Sequence, residues 1–223
     1  VAKKDIREDD TVLIERAGDV IPYIIEVIVN KNKKRKSKFK VPTNCPVCNS
    51  NIIKEKDEVV LRCSGDLNCD AQRSERLKHF VSRSALDLDG LGEKQIEFFY
   101  QLKLIKNFSD IIKIEDKKSE IVSLDGWGEL SFSNMINTIN KKKNIYLSKL
   151  IYALGIRHVG EKNAKLIARN FKSLNEFKES IANLDKNLLI DRLNNIDGLG
   201  PKAVNSFTNY ISVSYTHLRA HET

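Results

Sequence analysis

With 223 residues, 41% of them hydrophobic, the chain has room for one large domain or for two or three small ones. Its 38 Lys and Arg against 30 Asp and Glu give a net charge of +8 and a pI near 9.2, which suits either a polyanionic partner such as nucleic acid or a lysine-rich solvated surface. No stretch approaches the roughly eighteen apolar residues of a membrane span, and the amino terminus lacks a signal-peptide pattern, so we expect a cytosolic chain without a membrane partner, where disulfides are disfavoured.

Val1 begins in mid-pattern without an initiating Met, and we expect the chain to have been cut from a longer protein. Residues 11–29 then alternate short β-branched runs with a turn: Thr11-Val12-Leu13-Ile14, the turn Ala17-Gly18-Asp19, then Val20-Ile21 and Tyr23 to Val29. This predicts the last strands of a β-domain. Next, Lys31, Lys33, Lys34, Arg35, Lys36, Lys38 and Lys40 make seven of ten residues basic with no acid among them. Such a block is either a solvated linker or a phosphate contact.

All four cysteines fall in one cluster, Cys45-x2-Cys48-x14-Cys63-x5-Cys69. The pair Cys45-Pro46-Val47-Cys48 makes a tight knuckle whose thiolates face one centre, and Val59-Val60-Leu61-Arg62 can form the strand that returns the second pair to it. Four soft thiolates suit one tetrahedral zinc ion and leave no open position, so the site is structural. A segment this short buries too little to fold alone; the metal supplies the folding energy, about 10–16 kcal/mol in zinc-finger peptides.

From Arg73 onward the pattern is helical, and it repeats when aligned on glycine. The repeats are Leu88-Asp89-Gly90-Leu91-Gly92, Leu124-Asp125-Gly126-Trp127-Gly128, Ile156-Arg157-His158-Val159-Gly160 and Ile196-Asp197-Gly198-Leu199-Gly200. Four positions after the last glycine of each stand Ile96, Phe132, Ala164 and Val204, and seven after it Phe99, Met135, Ile167 and Phe207. Each turn therefore launches an amphipathic helix in one shared register. This is the pattern of a helix-hairpin-helix DNA-binding element. The glycines allow positive φ and close phosphate approach, the apolar residue between them plugs the gap between helices, and the second helix's amino end is an anion site. Lys94, Lys162 and Lys202, two places after the last glycine, add charge there. Candidate DNA-binding residues are thus Gly90, Gly92, Lys94, Gly126, Gly128, Gly160, Lys162, Gly198, Gly200 and Lys202. The second copy has Leu130 in place of lysine and the third has His158 in place of the first glycine, so we expect these two to bind phosphate less well. The place of the basic block between two DNA-contacting modules inclines it toward phosphate contact.

The order of these features resembles the NAD-dependent DNA ligases. Arg16-Ala17-Gly18-Asp19-Val20-Ile21-Pro22 is similar to the segment near the end of that family's OB-fold domain. The cysteine spacing is that of its zinc finger, and Cys69-Asp70-Ala71-Gln72, His79-Phe80 and Ser82-Arg83 are similar to the stretch leading to its first hairpin. Asp70 stands where the family usually has proline. The resemblance covers residues 1–211. It implies a monomeric clamp on nicked double-stranded DNA, in the bacterial cytoplasm with the nucleoid. NAD and magnesium serve only the full-length enzyme, in which an adenylated lysine passes AMP to the 5′-phosphate of a nick. The family's lysine-x-Asp-Gly motif does not occur in this sequence, nor does its BRCT domain, and we expect no catalytic residue and no nick sealing by this chain alone.

The expected fold is therefore multidomain: residues 1–40 the end of an OB-fold plus basic linker, 41–72 a four-cysteine zinc finger, and 73–211 an all-α domain of four tandem hairpins. Residues 212–223, which hold His217 and His221, break the preceding composition and are expected to be a disordered or non-native tail. A stand-alone zinc and helix-hairpin-helix DNA-binding accessory module is the alternative, and a zinc-ribbon transcription protein a weaker one.

Overall fold

A computed structural model of the chain describes residues 2–17, 21–30, 34–54, 58–142, 144–171, 173–182 and 186–220. Two units divide it, Val1–Gly65 and Asp66–Thr223.

In the first unit, β1 (Thr11–Ala17) and β2 (Ile21–Ile28) pair antiparallel, Thr11 opposite Ile28 and Ala17 opposite Ile21, with a register shift between Leu13 and Ile14. Gly18 and Asp19 of the expected turn and Val20 of the run after it lie outside the described residues, as do Lys31 and Lys33 of the basic block. The ribbon leaves large apolar side chains exposed, among them Ile14, Ile21, Tyr23 and Ile28. Two strands cannot enclose a core of their own. A second pair, β3 (Ile52–Lys54) and β4 (Leu61–Cys63), aligns Ile52 with Cys63. β4 begins at Leu61, so the strand expected from Val59 is shorter, and Val59 is 89% exposed.

The second unit is helical. α1 (Asp70–Val81) starts directly after Cys69, earlier than the Arg73 expected from periodicity, because Cys69 is itself the residue before the first turn. α2 (Glu93–Gln101), α3 (Phe108–Ile112), α4 (Lys118–Val122) and α5 (Glu129–Lys141) follow. Then come α6 (Leu147–Ala153), α7 (Glu161–Arg169), α8 (Leu174–Ala182), α9 (Lys186–Asn194) and α10 (Pro201–Ala220). Asn107 and Asp110 form a reciprocal capping box at α3, and Pro201 opens α10 where a missing N–H costs nothing. The 211/212 boundary expected from composition falls inside α10, whose backbone continues to Ala220; His221 lies outside the described residues. No helix among the described residues is long and apolar enough to cross a membrane.

Helices pack as the pairs α1/α2, α4/α5, α6/α7 and α9/α10, each separated by one of the glycine turns. Two hydrophobic clusters result. One, around Phe99, Ile96 and Met135, joins the first two turns; the other, around Phe207, Ile167 and Val204, joins the last two. Burying such side chains stabilises the fold by about 1.5–3 kcal/mol each. Tyr152 packs against both clusters, and its carbonyl lies 2.9 Å from His79 Nε2 of α1.

Candidate zinc centre and nucleic-acid interface

The knuckle Cys45-Pro46-Val47-Cys48 is closed by the bond from Asn49 N–H to the Cys45 carbonyl (2.9 Å), with Asn49 in the left-handed region at φ 58°. Cys45 N–H donates to Ser50 O at 2.8 Å, and Ser64 N–H to Asn51 O at 2.9 Å, so the β3–β4 pair carries Cys63 back to the knuckle. Cys69 arrives at the amino end of α1. All four sulfurs lie within 4.8 Å of one another, with Cys45 and Cys69 buried and Cys48 and Cys63 half-buried. None of the four is in a disulfide, and Cys48 and Cys63 Sγ stand 3.3 Å apart, well beyond a disulfide bond. Zinc with sulfur ligands at about 2.3 Å separates tetrahedral sulfurs by about 3.8 Å, so this donor set fits the ion.

The surroundings favour thiolate. Hydrogen bonding from Ser50, whose hydroxyl is 3.3 Å from Cys48 Sγ, holds the Cys48 thiol down to about 6. Backbone N–H groups of Cys48 and Val47 lower that of Cys45. Gly65 N–H donates to Cys63 Sγ at 3.2 Å. A Cβ on Gly65 would lie 2.8 Å from Cys48 Sγ and 2.9 Å from Ser50 Oγ, so only glycine fits beside the sulfurs. Sequence spacing singled out the four cysteines that the fold gathers and missed Ser50, Asn49 and Gly65.

The four glycine turns share one backbone. In each, the fourth residue's N–H bonds back to the first residue's carbonyl: Leu91 to Leu88 (3.1 Å), Trp127 to Leu124 (3.0 Å), Val159 to Ile156 (3.0 Å) and Leu199 to Ile196 (3.2 Å). The third residue has positive φ, 80° at Gly90, 76° at Gly126, 62° at His158 and 79° at Gly198. That is the demand of a type II turn. His158 thus adopts the glycine conformation, and Asn163 Nδ2 donates to its carbonyl at 2.8 Å, so the third copy departs in residue type but not in backbone. Leu91, Val159 and Leu199 are buried as plugs, while Trp127 stays partly buried, its ring 4.9 Å from that of Phe99.

The closing glycines are different in kind. Gly92, Gly128 and Gly160 are extended N-cap residues, for instance φ −74° and ψ 179° at Gly160, which any residue adopts. A Cβ at Gly128, Gly160 or Gly200 would meet nothing within 4 Å. Neither conformation nor packing within the protein calls for glycine there; its effect is to keep the helix's first N–H groups open from outside. Lys94, Lys162 and Lys202 are exposed on the first turns of α2, α7 and α10, and Leu130, in the corresponding place on α5, is 75% exposed. Glu93, Glu129 and Glu161 open α2, α5 and α7, whereas α10 has no acid in its first turn. Lys118 pairs with Glu129 at 2.8 Å and Lys165 with Glu161 at 2.7 Å.

Residues 44–71 match the NAD-dependent DNA ligase C4 zinc finger domain, and residues 149–217, which hold the third and fourth turns, match the helix-hairpin-helix motif. Over 219 residues the chain is 42% identical to the DNA ligase of Rickettsia canadensis (strain McKiel) and to that of Rickettsia bellii (strain OSU 85-389). The chain is thus similar to DNA ligases over nearly its whole length, and in its zinc module to the NAD-dependent ones. The DNA ligase of Rickettsia prowazekii (strain Madrid E) is similar to it at 41%, and in all three alignments 96% of this chain covers 32% of the relative. The chain therefore spans about a third of the length of the ligases it matches. Its zinc module matches the finger of that family, and its hairpins lie within the stretch that aligns with the DNA ligases.

Proposed function

We propose that this chain is the carboxy-terminal, DNA-gripping portion of a ligase that joins 5′-phosphate and 3′-hydroxyl ends at nicks in duplex DNA, in replication and repair. The observation that carries this is the common geometry of the four turns, three of which end in a glycine, Gly128, Gly160 or Gly200, that nothing inside the protein requires. Open N–H groups at a helix's positive end attract a phosphate, and the neighbouring lysine strengthens the attraction. The turn before α10 opposes an anion least, since its helix begins without an acid. Zinc, held by Cys45, Cys48, Cys63 and Cys69, has all its positions filled by protein and supplies folding energy, not chemistry. NAD and magnesium have no assigned residues here, because the lysine-x-Asp-Gly motif is absent from the sequence. In the whole enzyme the chain acts as a monomer in the cytoplasm, on nucleoid DNA.

Contacts to phosphates make binding indifferent to sequence and sensitive to salt. Fluorescence anisotropy with a labelled nicked duplex tests this. With six to ten such contacts, affinity falls by roughly a thousandfold or more between 50 and 200 mM salt. A flat salt profile overturns the proposal, and so does nick sealing by this chain alone with NAD and magnesium.

A further inference from the structure

The lysine-rich block 34–40 is not simply a solvated linker, because one of its residues is turned inward. Arg35 forks onto Asp10, Nε to Oδ1 at 3.0 Å and Nη2 to Oδ2 at 2.8 Å, and its Nη1 reaches Asp5 Oδ2 at 3.0 Å. Its Nη2 also donates to the Asp5 carbonyl. The Asp10 side chain is 5% exposed and that of Arg35 is 21% exposed. Arg7 joins the same knot: its N–H donates to Asp10 Oδ2 (2.8 Å), its guanidinium pairs with Asp5 (2.9 Å), and its Nη1 donates to the Lys36 carbonyl (3.0 Å). Asp10 immediately precedes β1, and Arg35 follows β2. Because Thr11 faces Ile28, the knot closes the open end of the ribbon and dictates where the chain goes next. Lys34, Lys36, Lys38 and Lys40 remain exposed on the segment so anchored, with Lys36 paired to Asp9 (2.9 Å) and Glu8 (3.3 Å) and Lys38 3.8 Å from Asp5, pairs that a phosphate would have to displace.

We propose that Asp10 and Arg35 are a positioning pair: their ion pair fixes the course of segment 34–40 so that its exposed lysines meet nucleic-acid phosphates, and Arg35 itself is not a phosphate ligand. This rests on the DNA-binding role proposed above. A fork of two parallel bonds holds direction as well as charge, which a lysine cannot reproduce. The consequence is a reversal of sign. Removing an acid from a DNA-binding protein ordinarily tightens binding, since it adds net positive charge. Here Asp10→Asn weakens it.

The experiment uses the full chain, zinc-loaded, with anisotropy on a nicked duplex at fixed salt and limited trypsin digestion read by mass spectrometry. Asp10→Asn is expected to lower DNA affinity at least about threefold and to speed cleavage within 34–40, because an anchored backbone resists proteolysis. Arg35→Lys, which keeps the charge, is expected to do the same. Zinc content and helical circular dichroism report that each variant is folded. Tighter or unchanged binding by Asp10→Asn together with unaltered Arg35→Lys overturns the positioning role, as does a cleavage rate within 34–40 that no variant changes. Should the unsubstituted chain itself bind duplex without salt dependence, the DNA-binding role falls, and the trypsin rates still judge the anchor on their own.

Discussion

At the scale of single residues, the four-cysteine cluster was legible and its supports were not. Four cysteines within a short stretch announce themselves by type and spacing; Gly65 does so only when a Cβ is placed beside Cys48 Sγ at 2.8 Å. We predict that Gly65→Ala lowers zinc affinity by about ten- to a hundredfold, the usual range for a damaged outer shell. Competition with a chromophoric chelator measures it, and an affinity equal to the unsubstituted chain's would mean the sulfurs move aside freely. Asp10 gives a prediction in pH. Hydrogen bonding from Arg35 holds its carboxyl at about 2, below the ordinary value near 4. A depressed folded-state pKa contributes stability above the unfolded pKa and loses it as pH falls through the folded one. The difference in melting temperature between the unsubstituted chain and Asp10→Asn is therefore expected to be full at pH 5 and to shrink progressively from pH 4 toward pH 2. A difference constant over that range would mean that folding leaves the pKa of the Asp10 carboxyl unshifted.

At the scale of elements, the shared register of the glycine turns was readable because each turn places its apolar residues at four and seven positions beyond the last glycine. All eight of those side chains are buried. The start of α1 was not readable, since cysteine is no N-cap signal and periodicity begins only later. Nor was the conformation of His158, where the turn's φ of 62° overrides residue preference. The two glycines of a turn have separable tasks, and this can be tested. Gly198→Ala puts a side chain at φ 79° and is expected to destabilise the fold by about 1–2 kcal/mol, seen as a lower denaturant midpoint. Gly160→Ala, extended and with open space around it, is expected to cost at most about 1 kcal/mol while weakening duplex binding several-fold. Should Gly160→Ala bind duplex as well as the unsubstituted chain, the third turn does not admit a phosphate.

At the scale of the whole molecule, the order of strands, zinc module and hairpins follows from the sequence, whereas the inward turn of the basic block does not. Its partner Asp10 is 25 residues from Arg35, and no local pattern joins an acid in one segment to a base in another. The same separation of parts governs stability. Neither helical cluster contains a ligand cysteine; one is built around Phe99 and Ile96, the other around Phe207 and Ile167. With so little apolar surface to bury, 44–71 is expected to draw its folding energy from the metal, whereas the helices draw theirs from buried apolar surface. Removing zinc with a strong chelator is therefore expected to abolish the protection of finger amides against hydrogen exchange while leaving the helical signal at 222 nm and its thermal transition nearly intact. A single zinc ion per chain should be released. If the helical transition instead collapses in step with zinc loss, the metal holds the hairpins as well as the finger, and the two clusters are not self-sufficient.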